Sequence, residues 1–84
     1  MDLIEIGGEA LNFVLIEVIE REISSPAFFD AYQEAYDEMV TRVRQAFGDD
    51  IAFGEEDDVG AVVHKMSAYG EKHGQNFDWR IFAI

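Results

Sequence analysis

The residues from Pro26 to Phe47 constrain the fold more than any other stretch of this chain. Phe28, Phe29, Tyr32, Tyr36, Met39, Val40, Val43 and Phe47 recur at three- and four-residue spacing. Wound at about 100° per residue they occupy one broad face, with Ala35 and Ala46 at its margin. Asp30, Glu34, Asp37 and Glu38 fall on the opposite face. Ser25 is a suitable N-cap and Pro26 a suitable first helical residue, so the pattern predicts a helix from Pro26. Arg42 and Arg44 suit the negative end of its dipole, and Gly48 is placed to cap it. A helix this amphipathic needs an apolar layer to cover, and the rest of the chain must supply it.

That layer reads as strands. Residues 2–6 and 11–19 form two of them around a turn at Gly7-Gly8, where positive φ is available. Within 11–19, a helical winding scatters the apolar residues over every face. As a strand, Val14, Ile16 and Val18 take one side and Phe13, Leu15 and Ile19 the other. Their β-branched content favours the strand, with a fully buried helix as the alternative. Such a strand is buried on both faces or is covered on the second by a partner. Ile51-Ala52-Phe53 reads as a short strand, and Asn76 to Ile84 as a strand alternating Phe77, Trp79 and Ile81 against Asp78 and Arg80. Trp79 is read as core rather than as a partner anchor.

A second helix is expected from about Glu56 to Tyr69, burying Val59, Val62, Val63, Met66 and Tyr69, with residues 70–76 a polar connection. Gly60 and Gly70 weaken that helix, each by up to about 1 kcal/mol relative to Ala. With 84 residues there is room for one domain. The expected fold is α+β: a single small two-layer domain, an antiparallel sheet with about two helices packed on one face, in the order ββα(β)αβ.

Charge sets the functional expectation. The formal net charge is −12, and it is uneven: residues 1–41 carry −9, 42–58 carry −4, and 59–84 carry +1. A field of that strength shapes association and points to a basic or nucleic-acid-handling partner. Two acidic groups are the candidate partner-binding residues: Asp30, Glu34, Asp37 and Glu38 on the helix, and Asp49, Asp50, Glu55, Glu56, Asp57 and Asp58 after it. Helix capping accounts for acids at 56–58 but not for Asp49 and Asp50. The stripe lacks the mixed signs of an ordinary surface helix, because no Lys or Arg lies between Arg21 and Arg42.

A calcium loop starting at Asp49 fails, since its third, fifth and twelfth positions are Ile51, Phe53 and Gly60. Imitation of DNA faces a spacing problem. Acids at i,i+4 recur about every 6 Å along a helix, against about 3.4 Å between phosphates on one strand. The helix would need the 49–58 segment, or Glu17, Glu20 and Glu22, alongside it.

Catalysis has no motif. His64, on the exposed side of the expected second helix, and His73, in a loop, have no metal-pair or nucleophile–base spacing. There is no Cys and no phosphate-binding Gly loop. No cofactor or metal is expected, and direct nucleic-acid binding is opposed by charge, with six scattered basic residues. The first residues lack a signal-peptide pattern and no apolar run approaches membrane-spanning length, so a soluble cytoplasmic protein is expected, in the host cytoplasm if phage-encoded.

Small size, strong acidity, no Cys and no catalytic motif resemble the compositional type of phage-encoded host-defence inhibitors, including anti-CRISPR and anti-restriction proteins. The resemblance is one of character over the whole chain and transfers no residue. It implies a non-enzymatic inhibitor that offers carboxylates to a basic site on a nucleic-acid-processing protein. The alternatives are an immunity protein or antitoxin for a basic toxin, a generally acidic halophile domain and, last, a small metabolic enzyme. Eight Ile and seven Phe fit the halophile reading poorly. An exposed edge strand makes a homodimer possible.

Overall fold

The structure is a computed structural model that describes residues 4–6, 9–54 and 58–84, with side chains described for 12–54 and 58–84. Among them one helix lies against a mixed seven-stranded sheet, and a separate two-stranded hairpin precedes both. β1 (Ile4–Ile6) and β2 (Glu9–Leu11) pair only with each other. The expected hairpin is therefore present, but its second arm is not the 11–19 strand, and the turn at Gly7-Gly8 lies outside the described residues. Asn12 separates β2 from β3 (Phe13–Ile19); its N–H donates to Phe29 O (3.0 Å) and its carbonyl accepts from Ile84 N–H (2.7 Å). Residues 13–19 are thus strand and not buried helix.

The helix begins later than the sequence suggests. Ala27–Phe29 form β5, an edge strand antiparallel to the start of β3, and α1 runs Tyr32–Phe47. Ser25 and Pro26 belong to the connection before β5, and the N-cap is Ala31, with no side-chain cap bond. Pairing wins because Phe29 then joins the core on the inner side while the β5 backbone completes its hydrogen bonds on the edge of β3. At the other end Gly48 has φ 62° and its N–H donates to Arg44 O at 2.7 Å, the left-handed termination expected there.

The second helix does not form. Its described residues, 58–69, make β7 (Ala61–Val63) and the start of β8 (Ser67–Lys72), Glu56 and Asp57 lying outside the described residues. The expected polar connection is the end of β8, the His73-Gly74 turn and the start of β9 (Gln75–Ala83). His73 (φ 52°) and Gly74 (φ 81°) both take the positive φ of a tight hairpin turn. The two glycines that would weaken a helix have another use. A Cβ on Gly70 would lie 2.6 Å from Gly60 O and 2.7 Å from Phe47 Cζ, and one on Gly60 would lie 2.9 Å from Phe47 Cδ1. Bare backbone is needed where these strands pass the Phe47 ring.

The strand order is β4-β3-β9-β8-β7-β6, with β4 (Glu22–Ile23) and β5 sharing the free edge of β3. The sheet is mixed, not antiparallel, because β6 (Ile51–Phe53) runs parallel to β7. Alternation along β3 and β9 holds as read: Leu15 pairs with Ile81 and Ile19 with Phe77, all on the side facing α1.

α1 buries Ala35, Met39, Val43 and Phe47 against Leu15, Ala61, Val63, Ala68, Trp79 and Ile81. Ala35 lies at the centre of the helix face rather than its margin. Phe47 packs edge-on to Phe77 (centroids 5.1 Å) and Trp79 (6.4 Å), and those two stack at 5.8 Å. No helix among the described residues is long and apolar enough to cross a membrane. The crowding around Gly70 gives a direct check: Gly70→Ala is expected to destabilise the domain by about 1–3 kcal/mol through overpacking, measured as a lower urea midpoint at unchanged slope.

Candidate partner-binding surface

Of the acids that the sequence singles out, Asp30, Glu34, Asp37, Glu38, Asp49 and Asp50 lie on α1 and at its two ends. Asp30 is exposed in the turn before the helix, and Glu34 and Asp37 are exposed in its first two turns. Asp37 accepts from Gln33 Nε2 (2.8 Å) and from no cation in that bond. Glu38 is held differently: Arg42 Nε donates to its carboxylate at 2.9 Å, in the Glu-before-Arg i,i+4 order that a helix favours. Past the helix, Asp49 and Asp50 are exposed after the Gly48 cap, and Asp58 is exposed before β7. Glu55, Glu56 and Asp57 lie outside the described residues.

The first group and the Asp49-Asp50 pair are therefore in line rather than side by side. At about 1.5 Å of rise per residue, the thirteen steps from Glu34 to Phe47 at the helix end already span roughly 20 Å. The intervening C-terminal half of α1 carries Arg42 and Arg44, and Lys72 of β8 reaches it, its Nζ donating to Ala46 O at 2.7 Å. Acids in the first half and bases in the second also match the helix dipole, so part of this pattern is local stabilisation. Among the described residues, the carboxylates on and before the first half of α1 and the Asp49-Asp50 pair form two discrete groups rather than one unbroken row.

Glu17, Glu20 and Glu22 do not supply the missing row. Glu17 lies on the inner side of β3, opposite Trp79, and is mostly covered. It accepts from Trp79 Nε1 at 2.8 Å through one oxygen and from Ser24 Oγ at 2.9 Å through the other, with Arg42 Nη1 3.8 Å away. Glu20 is engaged by the Asn76 backbone N–H, beside the β3–β4 turn in which Glu20 and Arg21 both have positive φ. The alternation that places Leu15 inside also places Glu17 there, so this role was readable from the strand pattern.

What the sequence indicated less directly is the outer face of the sheet. Val14, Ile16 and Val18 of β3 point away from α1 and are half-buried, as their register partners Phe82, Arg80 and Asp78 and the edge pairings of Phe28 and Ile23 locate them. Around them Ile23 (69% exposed), Phe28 (38%), Tyr69 (53%) and Phe82 (50%) stay open to solvent. The only charge pair described on this face is Asp78 with Arg80, at 3.4 Å.

His64 follows β7 and stacks on Tyr69 (5.9 Å); it is not on a helix. Val59, Gly60, Val62, Tyr69, Gly70, Glu71 and Asn76 line a shallow open cleft of about 260 Å³ with no convergent titratable cluster. Among the described residues, no three His, Asp or Glu side chains are grouped to hold a metal ion. Tyr32, whose hydroxyl donates to Lys65 O at 2.5 Å, titrates above the ordinary phenol range because of burial and then the neighbouring Tyr36.

No protein-family model matches the chain, and no curated protein or solved structure shows significant similarity to it.

The different settings of these acids have separable consequences for stability. Glu17→Ala leaves a buried indole N–H unpaired and is expected to cost about 2–3 kcal/mol in a chemical melt. Asp30→Ala, at an exposed turn, should stay within about 0.5 kcal/mol of the parent.

Proposed function

We propose that this chain is a non-enzymatic acidic binding protein that engages a basic site on a nucleic-acid-handling protein, in the manner of a host-defence inhibitor. One observation carries the reading: the described core contains no charged or polar side chain, while Asp30, Glu34, Asp37, Asp49, Asp50 and Asp58 are all exposed. A net charge of −12 on 84 residues steers a basic partner to that surface at a rate that falls with salt.

The contact centres on the N-terminal half of α1, where Asp30, Glu34 and Asp37 precede the first helix cation at Arg42. Asp49 and Asp50 form a weaker second contact, because Arg42, Arg44 and Lys72 share their end of the helix. Two carboxylate groups roughly 20 Å apart suit a basic groove on a protein better than they suit phosphate-by-phosphate imitation of a duplex. An immunity protein for a basic toxin would make the same electrostatic demand, and the identity of the captured partner separates the two.

The test is capture on immobilised protein from a bacterial lysate at about 50 mM salt, eluting with rising salt. A nuclease or DNA-binding complex should be recovered and released as salt increases. With that partner purified, the pair Asp30→Asn and Asp37→Asn should weaken binding by about tenfold at low salt, and the pair Asp49→Asn and Asp50→Asn by less. Binding indifferent to salt and to all four changes would remove the electrostatic basis of the proposal.

A further inference from the structure

We infer that two copies of this chain associate through the outer face of the sheet, turning their acidic helices outward on opposite sides. The face is apolar and uncovered by α1: Val14, Ile16 and Val18 lie between exposed Ile23, Phe28, Tyr69 and Phe82. Taking β3 as seven residues long and four neighbouring strands as the width, it measures roughly 23 by 19 Å, or about 440 Å² in projection. That projected figure is about half the roughly 800 Å² per partner of a standard interface. A concentration-dependent dimer is the corresponding expectation.

Charge selects a second copy as the occupant. Two chains of −12 repel wherever their helix surfaces meet, and the outer sheet face keeps the helix layers farthest apart. Two sheets packed face to face add about 10 Å of separation, already a Debye length at ordinary salt. The face is also self-complementary. Asp78 and Arg80 sit two residues apart on β9, both on this side. A two-fold axis passing near residue 79 brings Asp78 of each copy against Arg80 of the other, as an isologous interface requires. A basic partner finds no such match here, because its preferred carboxylates are on the helix layer.

Sedimentation equilibrium of the full chain, from about 1 to 300 μM and at both low and high salt, tests this directly. The mass should rise from 9.5 kDa toward twice that value with concentration. Association should strengthen with salt, as the −12 charges are screened, which is opposite to the salt response of the basic partner and so tells the two readings apart. Tyr69→Lys and Phe82→Lys, both at exposed positions, should each weaken the dimer about tenfold or more with an unchanged thermal melt. Asp78→Arg and Arg80→Asp should each weaken it, and the two combined should restore it, because the exchanged pair is again self-complementary. A monomer throughout the range at high salt would overturn the inference. So would a dimer that all four single changes leave intact, since the copies would then meet through an edge strand or the helix.

Discussion

The indole of Trp79 is the group around which the other elements take their places. It is only 1% exposed, in the middle of β9, between Phe47 of α1 and its own neighbour Phe77. Burying so large a ring supplies much of the apolar contact of a small core, but its N–H must find an acceptor or the burial is offset. Glu17 on the adjacent strand is that acceptor, and a carboxylate moved out of water needs further partners of its own. Ser24 and Arg42 provide them, one from the connection after β4 and one from the helix. Glu17, itself mostly covered, thus links both central strands, the connection after β4 and α1.

The same centre divides the surface into two chemically different sides. Arg42 is drawn in toward Glu17 and Glu38, and the C-terminal half of α1 carries Arg42 and Arg44 but no acid. The N-terminal half and the turn before it keep their exposed acids, and the far side of the sheet keeps its apolar residues with the Asp78–Arg80 pair and, toward the β8–β9 turn, Glu71. Nothing in this segregation requires catalysis. The surfaces assigned by proposal to a basic partner and to a second copy of the chain lie on opposite sides of the sheet.

Much of this was legible in the sequence because local pattern and tertiary context agreed. The helix face from Tyr32 to Phe47, the Gly48 termination, the Ile51–Phe53 strand and the alternation around Trp79 all follow from residue spacing alone. The errors fall where a non-local contact overrides a local preference. Ser25 and Pro26 are good helix starters, but Ala27–Phe29 gain more by pairing with β3. The apolar residues from Val59 to Tyr69 match helical spacing by coincidence, since Val62 is buried on one side of a strand and Val63 on the other. Gly60 and Gly70 carried the contrary signal, yet their reason is the Phe47 ring, which only the fold brings near. For the acids, the sequence gives number and order but not distance. That Glu17 lies opposite Trp79 and accepts from its indole depends on how the strands align.

Trp79 is sealed in the core with its N–H held by Glu17, and as the chain's single Trp it can be followed in one measurement. In a proton–nitrogen correlation spectrum the sole indole resonance can be followed after transfer to heavy water. If the account is right, that proton exchanges as slowly as the most protected backbone amides of β3 and β9, through global unfolding alone. Loss of the indole signal at the rate of the exposed helix-start amides would show Trp79 open to solvent, and the arrangement built around it would have to be abandoned.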